Sequence, residues 1–448
     1  AELASDGESY EQDIRQYSKI SQPDENGKYT KIDLTGFKDL KNQDLASINL
    51  QLETRDGDVI NFSLTSYEGH GKGDDSRLIG FVGTRVSFEF EGELSPDELK
   101  QVEAFAHTIN QASGDYFNSG QLNIEELDLS GFSQFTDMEL SFLNSGDHHF
   151  KMSYHDDVET RLIDVNLNGH KSNIMIDKAS LGMEVSGQQQ KQALEEYLAL
   201  LEDSAKEAHA NGSAQSLMLN IFSLGFENLN TSEETPNQVH VQVAAEPSTD
   251  KQPLQNALVG LPDFNFSFDS VILHPNAENQ PHEYTGFSLQ ISLETQVDKG
   301  AKNGSESVTQ TQKYHLTAAY YEPLDNLDEV DFKNQNYQYT QLERSSEKVT
   351  NLVTQNNELI LAMTTNQGVF DKVTQEYQEG KLEDEDHKHT EHSNIENFTS
   401  LAQQKTEYQT RKLLNTVMIN PYQIHQKELA VKEEERADGR LIRGLNSQ

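Results

Sequence analysis

The chain has 448 residues, 34% of them hydrophobic, and carries 35 basic against 75 acidic side chains, a formal net charge of −40. That charge disfavours nucleic acid or an anionic membrane surface as a partner bound through a basic face, and a chain without Cys can hold neither disulfide, thiolate metal site nor Cys nucleophile. The length suggests about three domains, and no apolar run approaches the ~18 residues of a membrane-inserting helix.

Residues 1–31 are polar and read as an N-terminal arm. A first module is expected over 32–127. Ile48, Leu50 and Leu52 alternate with polar residues, as do Ile60, Phe62 and Leu64 beyond Arg55-Asp56-Gly57-Asp58. Period-two alternation on both sides of Asp-Gly marks a hairpin with one buried and one wet face. A polar Gly-rich loop is expected from Tyr67 to Arg77, then a strand with Val86, Phe88 and Phe90 on one face. Ser95-Pro96-Asp97-Glu98 spells a capping box with Pro at the first helical position. Leu99, Val102, Phe105, Ala106 and Ile109 then give an amphipathic helix, which Ser113-Gly114 should stop.

A second module, 128–226, repeats the plan. Met138, Leu140 and Phe142 answer Phe150, Met152 and Tyr154, and Ile163, Val165 and Leu167 pass through Asn168-Gly169 to Ile174 and Ile176. A helix follows from about 189 to 209, and after Asn211-Gly212 a second one. Leu-Thr-Gly-Phe37, Leu-Ser-Gly-Phe132 and Ser-Leu-Gly-Phe226 stand at the seams, Gly36 and Gly131 being 95 residues apart and Gly131 and Gly225 94. Residues 227–333 read as a linker and a β-rich region with Phe264, Phe266 and Phe268, then Phe287 to Leu293, then Tyr314 to Ala318. Residues 334–448 read as helical: Leu342, Val349, Leu352, Val353, Leu359, Ile360 and Met363 fit one long amphipathic segment, with further helices around 366–379, 394–418 and 423–437. The expected fold class is therefore α+β: tandem modules of antiparallel sheet packed on one or two helices, then a strand-then-helix C-terminal region.

Candidate chemistry is sparse. Nucleophile elbows, phosphate-binding Gly loops and dinucleotide fingerprints are absent, and Gly69-His-Gly-Lys-Gly73 lacks the ending and the helix a phosphate loop needs. The one constellation that invites a divalent metal is Glu383-Asp-Glu-Asp-His387-Lys-His389-Thr-Glu391-His392, with His387, His389 and His392 as its ligands; a charged linker between helices explains the same run. No other cofactor is implied. His148-His149 and His155-Asp156-Asp157 read as turn or edge residues, and Asp56-Gly-Asp58 as a turn rather than a Ca²⁺ loop.

The run Phe88-Glu-Phe-Glu-Gly-Glu-Leu-Ser-Pro-Asp-Glu-Leu99, with Phe117-Asn-Ser-Gly120, Leu-Ser-Gly-Phe132 and the Leu52-Glu-Thr-Arg-Asp-Gly-Asp58 hairpin, resembles uncharacterised gammaproteobacterial proteins of unknown function over about residues 45–132. The resemblance implies no activity, and a marine or salt-tolerant source would suit the acidity. The leading expectation is a soluble bacterial protein, not an enzyme, that scaffolds or binds a protein or other macromolecule, with self-association through 334–448. A hydrolase with a site assembled between modules, and a divalent-cation-dependent binding protein, are the alternatives. An opening Ala-Glu is what a signal-peptidase cut leaves, which points to the periplasm or exterior, with the cytoplasm as alternative.

Overall fold

The computed structural model describes residues 9–17, 38–72, 78–119, 135–144, 149–181, 187–227, 229, 258–270, 272–299, 305–324, 327–356 and 358–402. Among them are fourteen strands and three helices longer than one turn. Sheet dominates, so the expected α+β class is overturned, most plainly in the region read as helical. The chain divides into two compact units, 1–157 with 161–172, and 158–160 with 173–448.

The first unit holds β1 (Tyr10–Tyr17), β2 (Lys38–Thr54), β3 (Val59–Lys72), β4 (Leu78–Glu91), α1 (Pro96–Ser119), β5 (Phe135–Asn144), β6 (His149–Asp156) and β7 (Thr160–Leu167). Their sheet order is β1-β4-β3-β2-β5-β6-β7. The Asp-Gly hairpin forms as expected: Gly57 takes φ 88°, and β2 runs back as β3 with Leu52 opposite Ile60. One row of apolar side chains then crosses five strands, Ile60–Leu52–Met138–Tyr154–Ile163. The capping box forms too. Ser95 N–H donates to Glu98 Oε2 at 2.7 Å and Glu98 N–H to Ser95 Oγ at 3.3 Å. The α1 helix buries Val102, Phe105 and Ile109 and lies against β2, but runs through Ser113-Gly114 to Ser119. Two further readings change. Residues 10–17 of the polar arm are an edge strand on β4, and Tyr67 to Lys72 of the expected loop continue β3. Tyr67 is the anchor there: its ring packs against Gly83, where a Cβ would stand 2.4 Å from the ring, and its hydroxyl donates to Asp13 of β1.

The second unit holds β8 (His170–Asp177), a 3-10 turn (Lys178–Leu181), α2 (Gly187–Glu207), α3 (Gly212–Phe226), β9 (Asp263–Asp269), β10 (Gly286–Lys299), β11 (Ser305–Glu322), β12 (Tyr337–Gln355), β13 (Glu358–Gln378), β14 (Lys381–Asn397) and the short α4 (Thr399–Ala402). From β8 to β14 the sheet order follows the chain. Asn211 caps α3, its Oδ1 accepting from Ala214 N–H at 2.8 Å. The helix pair covers one face: Phe222 packs edge-on to Phe264 and Phe266, with centroids 5.5 and 5.2 Å away. Gly225 lets α3 close onto β8, since a Cβ there would stand 2.6 Å from Ile174 Cδ1. Of the three Gly-Phe seams, Gly36-Phe37 and Gly131-Phe132 lie outside the described residues. Phe226 is buried at the end of α3, beside Phe222 and Phe264.

Residues 337–378, expected as helices, are the long strands β12 and β13, and 381–397 is a third. The helices expected around 394–418 and 423–437 are strand to Asn397, then α4, and otherwise lie outside the described residues.

Candidate binding face

In each unit the helices cover one face of the sheet, and the other face carries a hollow floored by polar side chains. The hollow of the second unit measures about 910 Å³ and spans β8 to β14. Strand register builds its floor from two rows. One runs Ser267–Gln290–His315–Ser345–Val369–Glu391, the next Asn265–Ser292–Lys313–Glu347–Gln367–Ser393. Alternation along each strand puts these residues opposite the aromatic face under α2 and α3. The hollow of the first unit measures about 670 Å³. Its floor is likewise built from two rows, Ser87–Ser63–Asn49–Ser141–Lys151–Asn166 and Glu89–Asn61–Gln51–Glu139. Amides and hydroxyls, with a Lys and carboxylates interspersed, recur in both. Such a surface can exchange hydrogen bonds with a hydrophilic ligand.

Each unit also carries a histidine clamped between two carboxylates on this face. His155 Nδ1 lies 2.7 Å from Asp137 Oδ1 across the β5–β6 pairing, and Nε2 lies 3.3 Å from Asp157 Oδ2. His389 repeats the arrangement, with Nδ1 2.6 Å from Asp371 Oδ1 and Nε2 3.3 Å from Glu391 Oε1. The bond to the cross-strand aspartate raises both imidazoles above their ordinary value. In return, His389 holds Asp371 below the usual carboxylate range.

The metal candidates therefore lie on a strand, not a linker. His387 and His389 share a face of β14, and His387 Nε2 stands 3.6 Å from the same Asp371 Oδ1. His392 is in register with Gly368 and falls on the opposite face. The trio does not converge. Among the described residues no group of three or more His, Asp or Glu is arranged to hold a metal ion.

Polar groups that sequence reasoning missed lie on the helix-covered face of the second unit and at one end of its sheet. Arg344 of β12, 1% exposed, pairs with Glu207 at the end of α2 and lies 5.0 Å over the Phe370 ring. Tyr197 donates to Gln312 at 3.0 Å, and Ser204 and Tyr314 hydroxyls meet at 2.9 Å. Lys348, 2% exposed, is pulled down to about 7 by burial, against the opposing pull of Glu196 and Glu396. At the end of the sheet, fully buried Glu283 accepts from Tyr321 at 2.9 Å, Tyr337 at 3.0 Å and Asn276 at 3.3 Å. Burial and that carboxylate push both tyrosines up. The Glu283 cluster is closed and satisfied, which marks it as a clamp for the loop before β10 rather than a site open to ligand. For the strand residues Gln312, Arg344 and Lys348 the only advance signal was a polar residue at an inward position of an alternating strand.

Comparison with protein-family models, curated proteins and solved structures finds no match.

Proposed function

We propose that this is a non-enzymatic binding or scaffold protein that holds an extended hydrophilic macromolecule, a polysaccharide or an extended polypeptide, on the helix-free faces of its sheet. The observation that supports this reading is the recurrence, in both units, of a broad hollow floored by cross-strand rows of Asn, Gln, Ser and charged side chains. Repeated modest polar contacts along an extended partner accumulate through multivalency. The net charge of −40 argues for neutral or cationic partners over nucleic acid. A role outside the cytoplasm suits such a partner.

The test is an array of glycans and extended peptides probed with the labelled full chain. Two variants, Gln290→Arg in the second unit and Ser141→Arg in the first, narrow each floor without touching the apolar face. Binders of the wild type should lose at least tenfold in affinity with one or both, at unchanged melting temperature. An array without binders, or binders indifferent to both variants, would count against the reading.

A further inference from the structure

The last strand of the second unit ends its sheet. β14 pairs with β13 from Met363↔Asn397 to Gln378↔Lys381, and no strand among the described residues pairs with its other side. Such an edge is a row of backbone donors and acceptors ready to receive another strand, and proteins blunt it by shortness, proline or bulges. β1, at the edge of the first unit, is blunted by shortness, with eight residues. β14 has seventeen residues and no proline, and its one irregularity of register lies at its start, opposite Glu376/Tyr377.

What β14 has instead is charge. It carries six acidic residues, Glu383, Asp384, Glu385, Asp386, Glu391 and Glu396, against Lys381 and Lys388, and its side chains are exposed along almost the whole length. Cross-strand neighbours of like charge destabilise a pairing, and opposite charges favour it. The edge is therefore hostile to a second copy of itself and to any chain as acidic as this one. The same charges select a cationic strand, since the device that excludes the wrong partner defines the right one. Beyond the irregularity at Glu383, Asp384 and Asp386 fall on one face of the sheet and Glu385 on the other, so basic residues on either face of an incoming strand would find partners.

We propose that β14 is a docking edge for an extended, Lys- or Arg-rich segment of a partner protein, which adds to the sheet as a further strand. Backbone hydrogen bonds hold the segment and the acidic side chains choose it. The edge borders the hollow of the second unit, which reaches Glu391 and Ser393 of the same strand; the substitutions at 383–386 lie outside that floor, so their effect distinguishes docking on the edge from binding in the hollow.

The probe is a ten-residue peptide alternating Lys with Thr and Val, set against a control of equal charge in which Thr and Val are replaced by Pro, a residue that cannot form the ladder. Affinity for the full chain is measured by fluorescence anisotropy, and amide exchange across 381–397 by mass spectrometry. The alternating peptide should slow exchange in β14 and bind at least tenfold tighter than the proline control. Replacing Glu383→Gln, Asp384→Asn, Glu385→Gln and Asp386→Asn together should weaken it at least tenfold. Unchanged exchange in β14, a control that binds as tightly, or a quadruple variant with undiminished affinity would overturn the proposal.

Discussion

Lys348 is an ammonium-bearing side chain placed under a helix, where burial favours the neutral amine. Its pKa of about 7 in the fold lies below its ordinary 10.5, so between those values the unfolded chain binds more protons than the native one. Stability must then rise as pH climbs from 7 toward 10.5, and the penalty is full at neutral pH and below. Lys348→Met keeps the length without the charge. It should gain about 1–4 kcal/mol at pH 7, the range seen when buried charges give way to apolar groups. Urea melts at pH 7 and pH 10 test this, and a gain that does not shrink at the higher pH would refute the assignment. Arg344 and Glu207 argue the other way. Glu207→Ala takes the carboxylate from a guanidinium that is 1% exposed, an expected loss of about 3–5 kcal/mol. The joint replacement Arg344→Met with Glu207→Leu should restore most of it, and a double variant no better than the single would show the pair is not the unit that matters.

At the scale of the element, the same inward polar residues explain what was illegible in the sequence. The hairpins of the first unit could be read because apolar residues fill every inward place, as at Ile48, Leu50 and Leu52. In β12 the inward row is Leu342, Arg344, Ser346, Lys348, Thr350 and Leu352, polar through its middle because polar groups on α2 face it. With the period of two broken there, Val349 and Val353 of the other face supplied false spacings of three and four, and a strand passed for a helix. β14 hid for another reason: an edge strand exposed on both faces has no apolar period to show. The hollows could be inferred only as wet faces, since their rows join residues as distant as Asn265 and Ser393. The histidine clamps are equally non-local, and testable by titrating His155 and His389 in the NMR spectrum. Both should titrate above an ordinary imidazole, and Asp137→Asn and Asp371→Asn should bring them back down. The sign follows from the raised value: each clamp contributes fully below the unfolded pKa and is lost as pH rises through the folded one. Values unmoved by the asparagines would mean the cross-strand contacts do not persist in solution.

Across the whole molecule, a charge of −40 acts against compaction, because folding gathers carboxylates that the unfolded chain keeps apart. Individual exposed ion pairs return little of this; Lys206–Glu202 at 3.0 Å and Lys151–Glu139 at 3.0 Å are surface contacts of the kind worth about 0–1 kcal/mol each. Mobile cations must then supply much of the relief. Screening shortens the reach of a charge from about 30 Å at 0.01 M salt to about 10 Å at 0.1 M, so the melting temperature should climb steeply over that interval and flatten beyond it. Because the effect is screening, NaCl and a weakly hydrated salt such as NaClO₄ should act alike at these concentrations. A melting temperature indifferent to salt would mean that the acidic residues are spaced widely enough to ignore one another. A rise with NaCl alone would assign the effect to surface hydration instead. The same screening should loosen the cationic peptide from β14, so salt would strengthen the fold while weakening its acidic edge as a docking site.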